Sequence, residues 1–167
     1  PEPPLTSAIR FSVEYGTNFD ELERFGGRLL WESTSRFGVD ADFRLMEEDL
    51  TRALDDSLWL GDVNFVYRFA QSEQFVMRSG IGLNWLADNQ GADAGFNFTY
   101  GGDWFPVDPW VVSSEIDWGT LGDAEIFHAR ATVGIVREHT EIYVGYDYYE
   151  VDGINLGGFV AGLRVWF

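Results

Sequence analysis

The feature that most limits what this chain can become is an alternation of apolar and polar residues that runs almost from end to end. Between residues 36 and 46, Phe37, Val39, Ala41, Phe43 and Leu45 take one face, while Arg36, Gly38, Asp40, Asp42 and Arg44 take the other. A period of two marks a β-strand whose faces meet unlike surroundings. The pattern recurs ten times, at about residues 8–15, 25–33, 36–46, 58–69, 74–86, 93–105, 110–118, 125–137, 141–150 and 156–167. Short polar connections separate the segments, and Pro106-Val-Asp-Pro109 forbids strand continuation. There is no βαβ spacing and no domain boundary. The expectation is one all-β domain over residues 8–167, an antiparallel up-and-down barrel of ten strands. Residues 1–7, with Pro1-Glu-Pro-Pro4, read as a linker or a trimmed mature N-terminus.

Alternation alone does not say which face points inward. A soluble ligand-binding barrel of the lipocalin kind would turn the apolar face in, whereas a membrane barrel turns it out. No run approaches the ~18 apolar residues of a spanning helix, but barrel strands need only about 9–11. Three features favour the membrane. The connections after strands 2, 4, 6 and 8 read as short, and those after strands 1, 3, 5, 7 and 9 as mostly longer, as in barrels with short periplasmic turns. Aromatics gather at strand ends on the apolar face. Phe37, Phe69, Phe75, Trp104, Trp110 and Phe167 fall at the short-turn end; Tyr15, Phe25, Trp59, Trp85, Trp118, Phe127, Tyr148 and Phe159 fall at the loop end. Two such girdles are expected at the two lipid–water interfaces.

The third feature is charge. The chain carries 28 Asp and Glu against 11 basic residues, a net charge of −17, and every basic residue outside its two His is Arg. That excess argues against binding nucleic acid. Yet the polar strand face is nearly balanced. Its cations are Arg10, Arg28, Arg36, Arg44, Arg68, Arg78, Arg130 and Arg164. Its acids are Glu14, Glu32, Asp40, Asp42, Asp62, Asp103, Glu115, Asp117 and Asp147. Arg suits bidentate buried pairing better than Lys, so this face is expected to form a charge network inside a narrow lumen. Arg24, Arg52 and Arg137 read as loop residues. Gly38, Gly80, Gly82, Gly134 and Gly162 on the polar face are expected to open some space, which the acids and Arg largely occupy.

On these grounds the chain resembles a bacterial outer-membrane β-barrel protein. The sharpest local motif is the closing segment Gly162-Leu163-Arg164-Val165-Trp166-Phe167. It looks like the family's C-terminal assembly signal, carried here by Leu163, Val165 and Phe167. The resemblance implies an outer-membrane location, periplasmic termini, lipid as surroundings and the barrel-assembly machinery as a partner. It also implies that Lys at Phe167 impairs assembly far more than Lys at Trp166.

Signals for chemistry are thin. With no Cys, the chain has neither disulfides nor thiolate chemistry, and nothing in it implies a cofactor. His128 reads as a lumen residue near the loop end, with Asp117, Asp123 and Glu125 as neighbours. Ten strands with an acid–His cluster at the rim are similar to the omptin proteases, but the residue two before His128 is Ile126 where that family has Asp. A lipid A deacylase needs a Ser–His pair facing lipid, and no His lies on the apolar face. His139 reads as a surface turn. Divalent cations fit two acidic loops, Asp88-Asn-Gln-Gly-Ala-Asp93 and Glu47-Glu48-Asp49 with Asp55-Asp56. The expected role is that of a small closed barrel, structural or loop-presenting and without catalytic residues. The alternatives are a rim enzyme around His128, a narrow pore and the soluble lipocalin-like binder.

Overall fold

A computed structural model describes residues 7–18, 22–48 and 57–167. The strands are β1 (Ala8–Thr17), β2 (Leu22–Glu32), β3 (Phe37–Glu48), β4 (Ser57–Gln71), β5 (Phe75–Ala87), β6 (Ala92–Trp104), β7 (Trp110–Leu121), β8 (Ala124–Arg137), β9 (Thr140–Val151), β10 (Ile154–Asn155) and β11 (Gly158–Trp166). All pairings are antiparallel between neighbours, and β1 pairs with β11 from Arg10↔Trp166 to Thr17↔Phe159. That pairing, with β8 against β9, closes the sheet. Ten strands form the wall, and β10 is a two-residue ladder on the end of β9. The linker expected at 1–7 lies outside the described residues but for Ser7, and of the acidic cluster Glu47-Glu48-Asp49 with Asp55-Asp56 only Glu47 and Glu48, at the end of β3, lie within them.

The apolar face points outward. Phe65 is 56% exposed, Leu83 63% and Ile142 65%, and the same holds along every wall strand. A continuous apolar exterior of this extent has no place in water, where patches rarely exceed a few hundred Å². It is stable facing hydrocarbon, and closure removes the strand edges that hydrocarbon does not tolerate. This overturns the soluble lipocalin-like alternative. Wall strands of 9 to 15 residues are long enough to cross a bilayer.

The difference in connection length is narrower than expected. β7 continues to Leu121, so the loop expected at 119–123 is a two-residue turn, Gly122-Asp123. The next loop also begins tightly. Asp152 (φ 49°) and Gly153 (φ 80°) are both left-handed, as in a type I′ hairpin, and they fold Ile154 back onto Val151. The difference between the ends therefore rests mainly on the connection 49–56. β2 starts earlier than expected, at Leu22, which brings Arg24 into the wall.

Candidate functional site in the barrel interior

Inward-facing residues hold the chemistry. Near the turn end, Asp103 accepts from Arg10 Nη1 (2.8 and 2.9 Å), Arg78 Nη2 (2.9 Å) and Ser113 Oγ (2.7 Å). Arg68 and Arg78 stand opposite each other on β4 and β5. Glu32 lies between these like charges, 4.0 Å from Arg68 Nη1 and 3.5 Å from Arg78 Nη2. Arg164 donates to both oxygens of Glu141 (2.8 and 2.9 Å), and its guanidinium sits 4.4 Å from the centre of the Tyr143 ring.

At mid-barrel, Arg28 spans the lumen. Its Nε donates to Asp40 (2.8 Å) on β3 and its Nη1 to Glu115 (2.8 Å) on β7. Arg130 donates to Glu14 (2.9 Å), which also accepts from Tyr143 Oη (2.9 Å). Nearer the loop end, His128 is held at both ring nitrogens: Nδ1 lies 2.5 Å from Asp117, and Nε2 is bonded to Asp147. Asp147 also meets Arg24 Nη1 at 3.1 Å. Arg44 pairs with Asp42 at 2.8 Å and lies over the Tyr149 ring. Asp62 accepts from Asn64 Nδ2 (2.5 Å). A buried charge persists when it is paired and hydrogen-bonded, and here the pairs reach across the lumen as well as between adjacent strands.

Two members of this network were not legible as such. Arg24 read as a loop residue, and Glu141 lay at a strand start; both are buried, and Glu141 holds Arg164. Arg36 does not stand in the wall. It occupies the β2–β3 turn with φ 71°, where its carbonyl accepts from the Arg68 N–H (2.8 Å). Asp123 and Glu125 are exposed and do not join His128.

A second layer was missed altogether. On five strands the inward face continues toward the loop end with a large apolar residue. Arg44 is followed by Met46, Asp147 by Tyr149 and Gly119 by Leu121; Asp62 is preceded by Leu60 and His128 by Ile126. These five buried residues pack into one cluster, backed by Leu58, Leu86, Val151 and Leu156. The result is an apolar plug inside the barrel, above the ionic layer.

The space beside the lumen glycines is occupied. A Cβ on Gly134 would lie 2.4 Å from Glu141 Oε1, one on Gly162 2.6 Å from Tyr143 Oη, and one on Gly26 2.9 Å from Glu14 Cγ. Larger neighbours lie over these positions, so the missing side chains make room for the network.

On the outer wall every residue expected in a girdle faces outward. Trp85 is half-buried because its ring lies over Gly61 and beside Phe43 (5.7 Å). Rings also continue through the middle of the wall, as Phe37 stacked on Phe65 (5.4 Å) shows. Leu163, Val165 and Phe167 share the outer face, and Phe167 is 73% exposed.

No protein-family model matches the sequence, and no curated protein matches it either. Solved structures do. Outer-membrane protein Ail of Yersinia pestis, in a phospholipid bilayer nanodisc, has a TM-score of 0.50 at 12% identity, covering 96% of this chain and 99% of that one. The fold is that of a bacterial outer-membrane β-barrel. An outer-membrane channel from Pseudomonas putida F1 gives a TM-score of 0.49 at 14% identity over 99% and 96% of the two chains. The KdgM porin gives 0.45 at 11% over 96% and 99%. At these identities the likeness extends to the fold alone.

Proposed function

We propose that the chain is a small, closed outer-membrane barrel that acts through its outer wall and its exposed loops, not by passing solutes or by catalysis in its lumen. One observation carries this reading. The plug of Met46, Leu60, Leu121, Ile126 and Tyr149 fills the loop end of the barrel above a network of paired charges. Barrels this narrow are filled by side chains, and wide channels need about 16 strands. A rim active site on His128 loses its basis: the ring is 1% exposed, and both nitrogens are engaged by carboxylates. The aromatic residues at the two strand ends act as interfacial anchors, and Leu163, Val165 and Phe167 form the segment read during assembly.

The test is planar-bilayer recording on the folded protein. The expected result is no large, stable conductance step. Regular steps that scale with salt concentration would overturn the closed-barrel reading in favour of a pore.

A further inference from the structure

The outer wall carries a groove of about 720 Å³ at its loop end. Its floor includes Phe98, Ile116, Trp118 and Phe127. Phe98 pairs with Trp118, and Trp118 with Phe127, so three rings form one row across β6, β7 and β8. The rim above this floor is acidic. Asp123 lies in the β7–β8 turn and Glu125 at the start of β8. Glu150 lies at the end of β9 and Asp152 in the hairpin that follows. Backbone bonds fix the rim, with Asp152 N–H donating to the Glu125 carbonyl (3.1 Å) and Gly122 N–H to the Ala94 carbonyl (3.2 Å). No Arg or His is among the residues that line the groove.

A lipid-facing apolar groove is filled by an apolar chain, because water there is costly. Four carboxylates at its mouth then select the head that goes with the chain. They repel a phosphate and attract a cation. The exposed Trp118 ring adds a face on which an ammonium group is favoured. We propose that this groove binds an amphiphile with a cationic, ammonium-type head and an apolar tail. The tail lies over Phe98, Ile116 and Phe127, and the head sits between Trp118 and the four carboxylates. The proposal uses the outward orientation of the wall and is independent of whether the lumen conducts.

The test uses the folded protein in phosphatidylcholine nanodiscs. The probe is dodecyltrimethylammonium brominated on its chain, which quenches Trp fluorescence on contact. Brominated dodecyl maltoside serves as the uncharged match. The expected result is saturable quenching by the ammonium probe, most of it lost in Trp118→Phe. The variant D123N/E125Q/E150Q/D152N is expected to bind the ammonium probe roughly tenfold more weakly and the maltoside unchanged. If that variant fails to fold, D123N/E125Q and E150Q/D152N are read separately, each expected to weaken binding by about threefold. Equal affinity of the ammonium probe for wild type and folded variants would overturn the proposal. So would equal saturable binding of the two probes. Tight binding of Ca²⁺ that the ammonium probe does not displace would overturn it in favour of a metal site.

Discussion

Ile9 and Phe167 exchange two backbone hydrogen bonds, 3.0 Å from Ile9 N to the Phe167 carbonyl and 2.8 Å from Phe167 N to the Ile9 carbonyl. The pair fastens the closing seam of the barrel at its turn end. The two neighbouring side chains, Trp166 and Phe167, point to opposite sides of that seam and should fail differently. Phe167 is exposed on the wall near an interface, where a Lys can reach water. Phe167→Lys is therefore expected to lower assembly in cells while leaving the stability of protein refolded into vesicles near that of wild type. Trp166 faces inward: its Nε1 donates to Glu141 (3.3 Å), and Arg10 lies 5.1 Å from its ring. Trp166→Lys places a second cation beside Arg10 and removes the ring that Arg10 lies over, so a loss of about 1–3 kcal/mol is expected in refolded protein. The sequence-based contrast concerns assembly in cells, where Phe167→Lys is still expected to be the more harmful; the stability of refolded protein is a separate readout. Urea midpoints and the folded fraction in cells separate the two cases. Identical behaviour of both variants in both assays would contradict the face assignment.

Arg28 bridges Asp40 and Glu115 from opposite walls. Removing it leaves two carboxylates facing each other in a closed interior. Arg28→Met should destabilise the barrel by about 3–5 kcal/mol, the range for breaking a buried pair by losing one partner. Neutralising the orphans in R28M/D40N/E115Q should recover much of that loss, since an uncompensated charge costs more than a neutral polar group. Urea unfolding of the three proteins checks the order. A triple variant no more stable than R28M would mean that Arg28 acts through packing.

The fold was legible because one physical rule acts on every residue of a membrane barrel. Each strand meets hydrocarbon on one side and paired charge on the other, so Phe37 to Leu45 announce the wall at a glance. The ionic layer was legible for the same reason, since Arg10, Arg28, Arg78 and Arg130 alternate with those outward residues. The rule loses force near the strand ends. Arg24 and Glu141 sit where alternation is short, and their burial is decided by partners on distant strands, Asp147 and Arg164. The plug was hidden for a different reason. Met46, Leu60, Leu121 and Ile126 are apolar residues on the polar face, and a sequence gives no sign that they meet. Only the register, which sets Met46 against Leu58 and Leu121 against Ala124, brings those ends to one level.

The two histidines should differ sharply in reactivity. His139 lies exposed in the β8–β9 turn, whereas His128 is closed in between Asp117 and Asp147. Diethylpyrocarbonate on the folded barrel should modify His139 and spare His128, and unfolding should make both react. Peptide mapping by mass spectrometry reads the result. Rapid modification of His128 in the folded protein would mean that solvent reaches the ionic layer.

The same readout tests what closes the barrel above that layer. Leu60, Leu121 and Ile126 meet in the plug, and Ile126 is two residues from His128 on the same inward face. Leu60→Ala should cost about 2–5 kcal/mol, as expected for truncating a packed core residue. The triple variant L60S/L121S/I126S wets the plug while leaving the ion pairs in place, so His128 should become reactive. Milder loosening by L60A alone should leave it protected. If His128 stays protected in a triple variant whose unheated gel mobility shows a folded barrel, then the paired charges close the lumen by themselves and the plug contributes only stability.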